Sequence, residues 1–250
     1  MTLLDHPLIA QRYFFPRPGP AFEAFAVAVD GAVLACHRHE VDAAAPWVVQ
    51  WHGNGEIVAD YLPWWPQLLA ARGYNSLLAE YRGYGSSTGA PALAVMLDDA
   101  ERTLAALGVA DERVVVFGRS VGSIYAVHVA SRRPGLAGLV IESGIADPLQ
   151  RILLRVTPAE IGASAQELAA AAGDQLDHRR KLAAWPGPTL VLHTRDDGIV
   201  DLDHGQRLHD WAAGERKRLV VFEEGNHNTI FAANHAAYLD ALFQFLDGLT

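Results

Sequence analysis

Cys36 is the single cysteine in 250 residues, so no intrachain disulfide can form. That usage suits a reducing compartment. There is no uninterrupted apolar run of roughly 18 residues or more, the length a membrane-spanning helix needs. The N-terminus, MTLLDHPLIAQRYFFPRPGP, lacks a basic start followed by an apolar run of signal-peptide length. These absences predict a soluble, cytoplasmic chain without integral membrane association. Basic clusters are missing too. Lys and Arg total 20 against 29 Asp and Glu, a formal net charge of −9. A protein that grips a phosphate backbone needs a basic face, so nucleic acid is excluded as an expected partner. Internal repeats and low-complexity linkers are absent.

What is present is a core. Hydrophobic residues make up 50% of the chain, enough for a substantial interior. The length fits one α/β domain over residues 1–250. Phe22–Val29 and Ala32–His39 flank Asp30-Gly31, a hairpin signal. Strand and helix signals then alternate: strands at Trp47–Trp51, Asn75–Ala79, Arg113–Phe117, Leu139–Ile141, Thr189–Leu192 and Leu219–Phe222, the last four expected to be buried. Helices are expected at Ile57–Ala71, Pro91–Leu107, Val121–Arg132, Leu202–Ala213 and Ile230–Leu246. Arg113–Phe117 is too apolar for an edge and reads as a central parallel strand. An opening hairpin followed by strand–helix units predicts a mostly parallel sheet covered on both faces. Pro16–Pro20 reads as a surface lead-in.

Residues 145–185 break the alternation. Asp147-Pro148 is a helix start. Thr157-Pro158-Ala159-Glu160 and Ser164-Ala165-Gln166-Glu167 have the form of capping boxes. Leu149, Ile152, Leu153 and Val156 fall on one helical face. The expectation is a helical lid insertion over a pocket, since binding segments gather at the carboxyl ends of sheet strands.

Gly118-Arg119-Ser120-Val121-Gly122 lies between an apolar strand and a helix. That is the setting of a nucleophile elbow: small residues two before and two after allow a tight turn, and the helix start favours developing negative charge. Gly85-Ser86-Ser87-Thr88-Gly89 matches the same pattern, but no strand leads into Ser87 and no helix leaves it. It reads as a turn residue. A serine needs a base, and His227 stands just after the last strand, where the chain order nucleophile, acid, histidine requires it. The acid should follow Thr189–Leu192, where Asp196 and Asp197 are adjacent. Either could hold the imidazole tautomer. Trp51-His52-Gly53-Asn54-Gly55 follows a strand, and the Asn54 backbone N–H, with that of Val121, supplies candidate oxyanion donors. His37 and His39 share a strand face and lack a third metal ligand at a recognisable spacing. Trp64 and Trp65 read as core rather than a pocket mouth.

From about Phe22 onward the chain resembles α/β-hydrolases of the group that includes the depalmitoylating serine hydrolases and their bacterial relatives. The likeness rests on His52-Gly53-Asn54, Tyr81-Arg82-Gly83-Tyr84-Gly85-Ser86, the segment around Ser120, Asp197 with Val200 three later, and Gly225-Asn226-His227-Asn228. In such families the acid follows His-Gly and precedes Val-Pro, whereas this chain has His193-Thr194 and Val200-Asp201. The resemblance selects Asp197 over Asp196 and says little about substrate; the expected activity is that of a serine hydrolase needing no cofactor and acting on a small-molecule ester or thioester. A serine peptidase or amidase with the same residues, or a non-catalytic binding protein of the same fold, are the alternatives. There is no N-terminal cysteine cluster for lipid anchoring, so membrane depalmitoylation is not implied.

Overall fold

The computed structural model describes residues 2–249. Eight strands form one sheet: β1 (Phe25–Val29), β2 (Ala32–His39), β3 (Trp47–Trp51), β4 (Asn75–Ala79), β5 (Val114–Arg119), β6 (Gly138–Glu142), β7 (Thr189–Thr194) and β8 (Lys217–Phe222). Their order is β1-β2-β4-β3-β5-β6-β7-β8. β1 and β2 make the hairpin, with Val29 opposite Ala32 and Gly31 in the left-handed region at φ 71°. β2 runs antiparallel to β4, and every later pairing is parallel.

The side-chain period of two explains why the central strands are apolar throughout. Val114 and Val116 of β5 enter one core cluster, while Val115 and Phe117 enter the other. The first face carries α4 (Val95–Leu107) and α5 (Gly122–Arg132). The second carries the helical pieces around Trp65 and the C-terminal helix. The edge strand β8 is an exception to the expectation of burial. Leu219 and Val220 remain half-buried because no strand pairs with its outer side.

Two expected helices are broken. Ile57–Ala71 resolves into α2 (Val58–Tyr61) and α3 (Trp65–Ala70), because Pro63 and Pro66 each remove a backbone donor. The last stretch divides into α10 (Ile230–Ala233) and α11 (His235–Asp247) at Asn234, whose side chain donates to the Ile230 and Glu224 carbonyls. α4 begins at Val95 rather than Pro91. Asp5 Oδ1, from the far N-terminus, accepts the Ala94 and Val95 amides at 2.9 and 3.1 Å and so caps that helix. An unexpected short helix, α1 (Pro7–Tyr13), precedes the proline-rich lead-in.

Within 145–185 lie α6 (Pro148–Leu153), α7 (Ala165–Gln175) and α8 (His178–Ala183), with a 3₁₀ turn at Pro158–Ile161. Asp147 caps α6, and the Thr157–Glu160 and Ser164–Glu167 capping boxes both form. Ile152 and Val156 are buried as their helical face requires, whereas Leu153 is 44% exposed. The remaining helix, α9 (Leu202–Trp211), follows β7.

Candidate active site

Strand order sets where a site can form. From β3 the chain crosses to β4 on one side, then returns to place β5 on the other. The crevice outside the carboxyl ends of β3 and β5 is therefore the switch point at which open α/β sheets bind ligands. β3 delivers His52-Gly53-Asn54 there, and β5 delivers Ser120.

Ser120 sits at φ 51°, a left-handed conformation that costs a non-glycine residue on the order of 1–3 kcal/mol. Its amide donates to the Glu142 carbonyl at 2.8 Å, which holds the turn against β6. A Cβ on Gly118 would lie 2.6 Å from the Gly122 carbonyl oxygen, and one on Gly122 would lie 2.1 Å from the Trp51 carbonyl oxygen. Both obstacles are backbone, so neither can move aside. The two glycines are what let β5 turn into α5 within a single strained residue.

His227 Nε2 stands 2.9 Å from Ser120 Oγ, and its Nδ1 2.7 Å from Asp197 Oδ2. With Nδ1–H donating to the carboxylate, Nε2 is free to accept the serine proton. All three side chains are buried. Asp197 Oδ1 is occupied separately, accepting the amides of Ile199 at 2.9 Å and Val200 at 2.8 Å. Burial pushes the Asp197 carboxyl up, but the hydrogen bond and charge of His227 and those two amides outweigh it and hold the net pKa below the usual range. The acid loop is closed by His193, whose Nε2 donates to the Val200 carbonyl at 2.8 Å. Asp196 points to solvent. The His227 loop turns at Gly225, φ 80°, where the Asn226 amide donates to Thr229 Oγ1 at 2.9 Å.

The Asn54 side chain is fully used. Its Oδ1 accepts from the Phe15 amide and the Tyr84 hydroxyl, and its Nδ2 donates to the Tyr13 carbonyl. Among the described residues its backbone N–H meets no acceptor, nor does that of Val121. Both residues border the cavity that reaches Ser120. Ser87 lies elsewhere, its Oγ accepting from the Ala35 amide at 2.9 Å in the loop over β2. His37 and His39 stack on their strand face, ring centroids 6.3 Å apart. Trp65 is buried and Trp64 half-buried, and both border a second cavity of about 330 Å³, which shares Arg119 but not Ser120 with the first.

Two buried clusters brace the site without announcing themselves in the sequence. Arg119 pairs with Glu56 at 2.9 Å and Glu142 at 3.0 Å and donates to the His227 carbonyl at 2.9 Å. Glu142 also accepts from the Tyr238 hydroxyl. This network ties the histidine loop to β5 and β6. It occupies the unspecified position of the elbow motif, so no motif could have found it. On the other flank, His52 Nε2 faces Glu80 Oε1 at 2.6 Å and Nδ1 faces the Gly53 carbonyl at 2.8 Å. Both neighbours are acceptors, so both ring nitrogens carry protons. Burial opposes that charge, yet Glu80 prevails and the His52 pKa is raised. Glu80 also accepts the Val58 amide, which pins the turn carrying Asn54.

Taken with the sheet order, this arrangement defines the α/β-hydrolase fold. Residues 42–169, about half the chain, match the family described as serine aminopeptidase, S33, and the protein belongs to it. Its sequence is 26% identical over 220 residues to the uncharacterized protein YfhR of Escherichia coli K12, covering 82% of this chain and 71% of that one. It is 30% identical over 177 residues to the α/β-hydrolase domain-containing protein aho-3 of Caenorhabditis elegans, covering 69% of this chain and 49% of the relative. Among solved structures, an esterase of Pyrococcus furiosus aligns with a TM-score of 0.73 at 15% identity, over 94% of this chain and 98% of that one. A monoacylglycerol lipase of Paleococcus ferrophilus aligns at 0.68 and 18% identity, over 87% and 99%. Sequence and fold thus agree on an α/β-hydrolase. Among the described residues no helix is long and apolar enough to cross a membrane.

Proposed function

We propose that the protein is a serine carboxylesterase acting on small ester or thioester substrates through an acyl-enzyme. The observation that carries this reading is the unbroken chain of hydrogen bonds from Ser120 Oγ through His227 to Asp197. His227 takes the Ser120 proton as Oγ attacks the carbonyl carbon. The oxyanion is met by the unoccupied amides of Asn54 and Val121. His227 then protonates the leaving alcohol, and a water activated by the same histidine frees the acid. No step calls for a cofactor. The segment 145–185 covers one side of the cavity, where Ile145, Arg151 and Arg155 border it.

The family's description raises a second reading, an aminopeptidase with the same nucleophile. Such an enzyme needs an acid to hold the substrate's ammonium group. No Asp or Glu borders the cavity at Ser120 among the described residues, which favours the ester. A fluorophosphonate probe should label Ser120 and leave Ser120→Ala unlabelled. Ester and anilide substrates of one acyl group then separate the two readings. Faster turnover of the anilide, or labelling at Ser87, would overturn the proposal.

A further inference from the structure

The cavity reaching Ser120 measures about 250 Å³, room for roughly eight water-sized groups at about 30 Å³ each. Its far wall is cationic. Arg151 lies on α6 and Arg155 one turn later, a spacing that puts both on one side of the helical path. Both border the cavity. Neither guanidinium has a carboxylate partner or a hydrogen-bond acceptor among the described residues, although Arg12, which donates to the Arg155 carbonyl, is itself paired with Glu160. Arg155 instead lies 5.9 Å from the centre of the Phe15 ring. Tyr13 borders the same cavity; it is almost wholly buried, and its hydroxyl has no hydrogen-bond partner among the described residues. Burial pushes the Tyr13 pKa up, and the charges of Arg151 and Arg155 act against that rise, so all three groups share one neighbourhood.

A buried hydroxyl without a partner is costly on its own, and the guanidinium groups of half-buried Arg151 and exposed Arg155 beside it are unpaired. Together they are a set of donors waiting for an acceptor with several oxygens. Planar, forked donors of this kind match a carboxylate or a phosphate. We infer that the substrate is a small ester carrying an oxyanion, held by Arg151, Arg155 and Tyr13 while its carbonyl lies at Ser120. This rests on the esterase reading and narrows it. In a protein of net charge −9 the pocket is a local positive spot. It selects an anion that the rest of the surface repels.

The test compares matched ester pairs at low ionic strength. Mono-p-nitrophenyl glutarate against p-nitrophenyl pentanoate places the charge on the acyl side. 4-Acetoxybenzoate against its methyl ester places a carboxylate on the alcohol side, and 4-acetoxyphenyl phosphate against phenyl acetate places a phosphate there. At least one anionic member should exceed its neutral partner tenfold or more in kcat/KM. That ratio should fall toward one in Arg151→Gln/Arg155→Gln, and shrink as salt screens the charges. Arg102→Gln/Arg179→Gln, the same loss of two charges at exposed helical positions, should leave the ratio where it was. Neutral esters hydrolysed as well as every anionic partner would overturn the anion site alone. A ratio that falls equally in Arg102→Gln/Arg179→Gln would overturn it as well, since overall charge would then be responsible. Failure of every ester, together with failure of the fluorophosphonate probe to label Ser120, would overturn both this inference and the esterase reading.

Discussion

At the residue scale the adjacent aspartates give a sharp contrast. The sequence offered both, and only the family pattern preferred Asp197. In the fold their environments differ completely: Asp197 is 3% exposed and faces His227, while Asp196 faces solvent. Asp197 Oδ1 is pinned by two backbone amides. An asparagine there must keep its oxygen against those amides, which turns its NH₂ toward His227 Nδ1. The ring nitrogen then has to accept, the proton moves to Nε2, and Nε2 can no longer take the Ser120 proton. Asp197→Asn should therefore lower ester turnover on the order of 10⁴-fold while the protein stays folded. Asp196→Asn should remain within a small factor of wild type. Turnover measured on both variants, with circular dichroism as the folding control, checks this, and the reverse pattern would assign the acid to Asp196.

At the element scale, what could be read in advance was what local pattern controls. β5 was legible because a continuous apolar run with no polar interruption leaves only a central, doubly covered strand. The capping boxes at Thr157 and Ser164 were legible because each is closed within four residues. Contacts made across long stretches of sequence were not. Asp5 capping α4 spans about ninety residues, and nothing local marks it. Histidine caps α1, a residue outside the usual capping set, and that helix brings Tyr13 and Phe15 to the cavity. The Arg119 network joins the loop after β3, through Glu56, to β5, β6 and the His227 loop, so it exists only once the sheet is assembled. The apolar stripe of 145–185 also divides once folded. Ile152 has no exposed surface and belongs to the main core, and neither it nor Leu153 borders the Ser120 cavity. Ile152→Ala should cost about 2–5 kcal/mol of stability and leave acyl chain-length preference unmoved. Urea unfolding and an ester series on the same variant test this; a changed chain-length profile at unchanged stability would place Ile152 in the substrate path instead.

At the scale of the whole molecule, global stability carries a pH dependence set by a charge far from the nucleophile in sequence. Lys181, on α8, packs toward α5 with only 8% of its surface exposed. Its Nζ donates to His128 Nδ1 at 3.0 Å. That acceptor is a neutral imidazole: burial first, then Lys181 itself, lowers the His128 pKa to about 3. Burial, helped by Arg180 and opposed by Asp177, lowers the Lys181 pKa to about 7. In the unfolded chain a lysine keeps its proton to about pH 10.4. Below pH 7 both states are protonated, and the full cost of the buried ammonium falls on the folded state. Between about pH 7 and 10 the folded state has lost the proton and the unfolded state has kept it, so this group makes stability rise with pH. Removing the charge should help most where the cost is greatest. Lys181→Met keeps the length of the side chain without the ammonium. It should stabilise the protein at pH 6 by about 1 kcal/mol or more, since each unit of pKa shift is worth about 1.4 kcal/mol. The gain should shrink steadily toward pH 10. The difference between variant and wild type at each pH cancels the titration of groups remote from Lys181, so urea midpoints at pH 6, 8 and 10 read the Lys181 site. An effect of the same size at all three, or one that grows with pH, would mean that Lys181 is not held near neutrality by its burial.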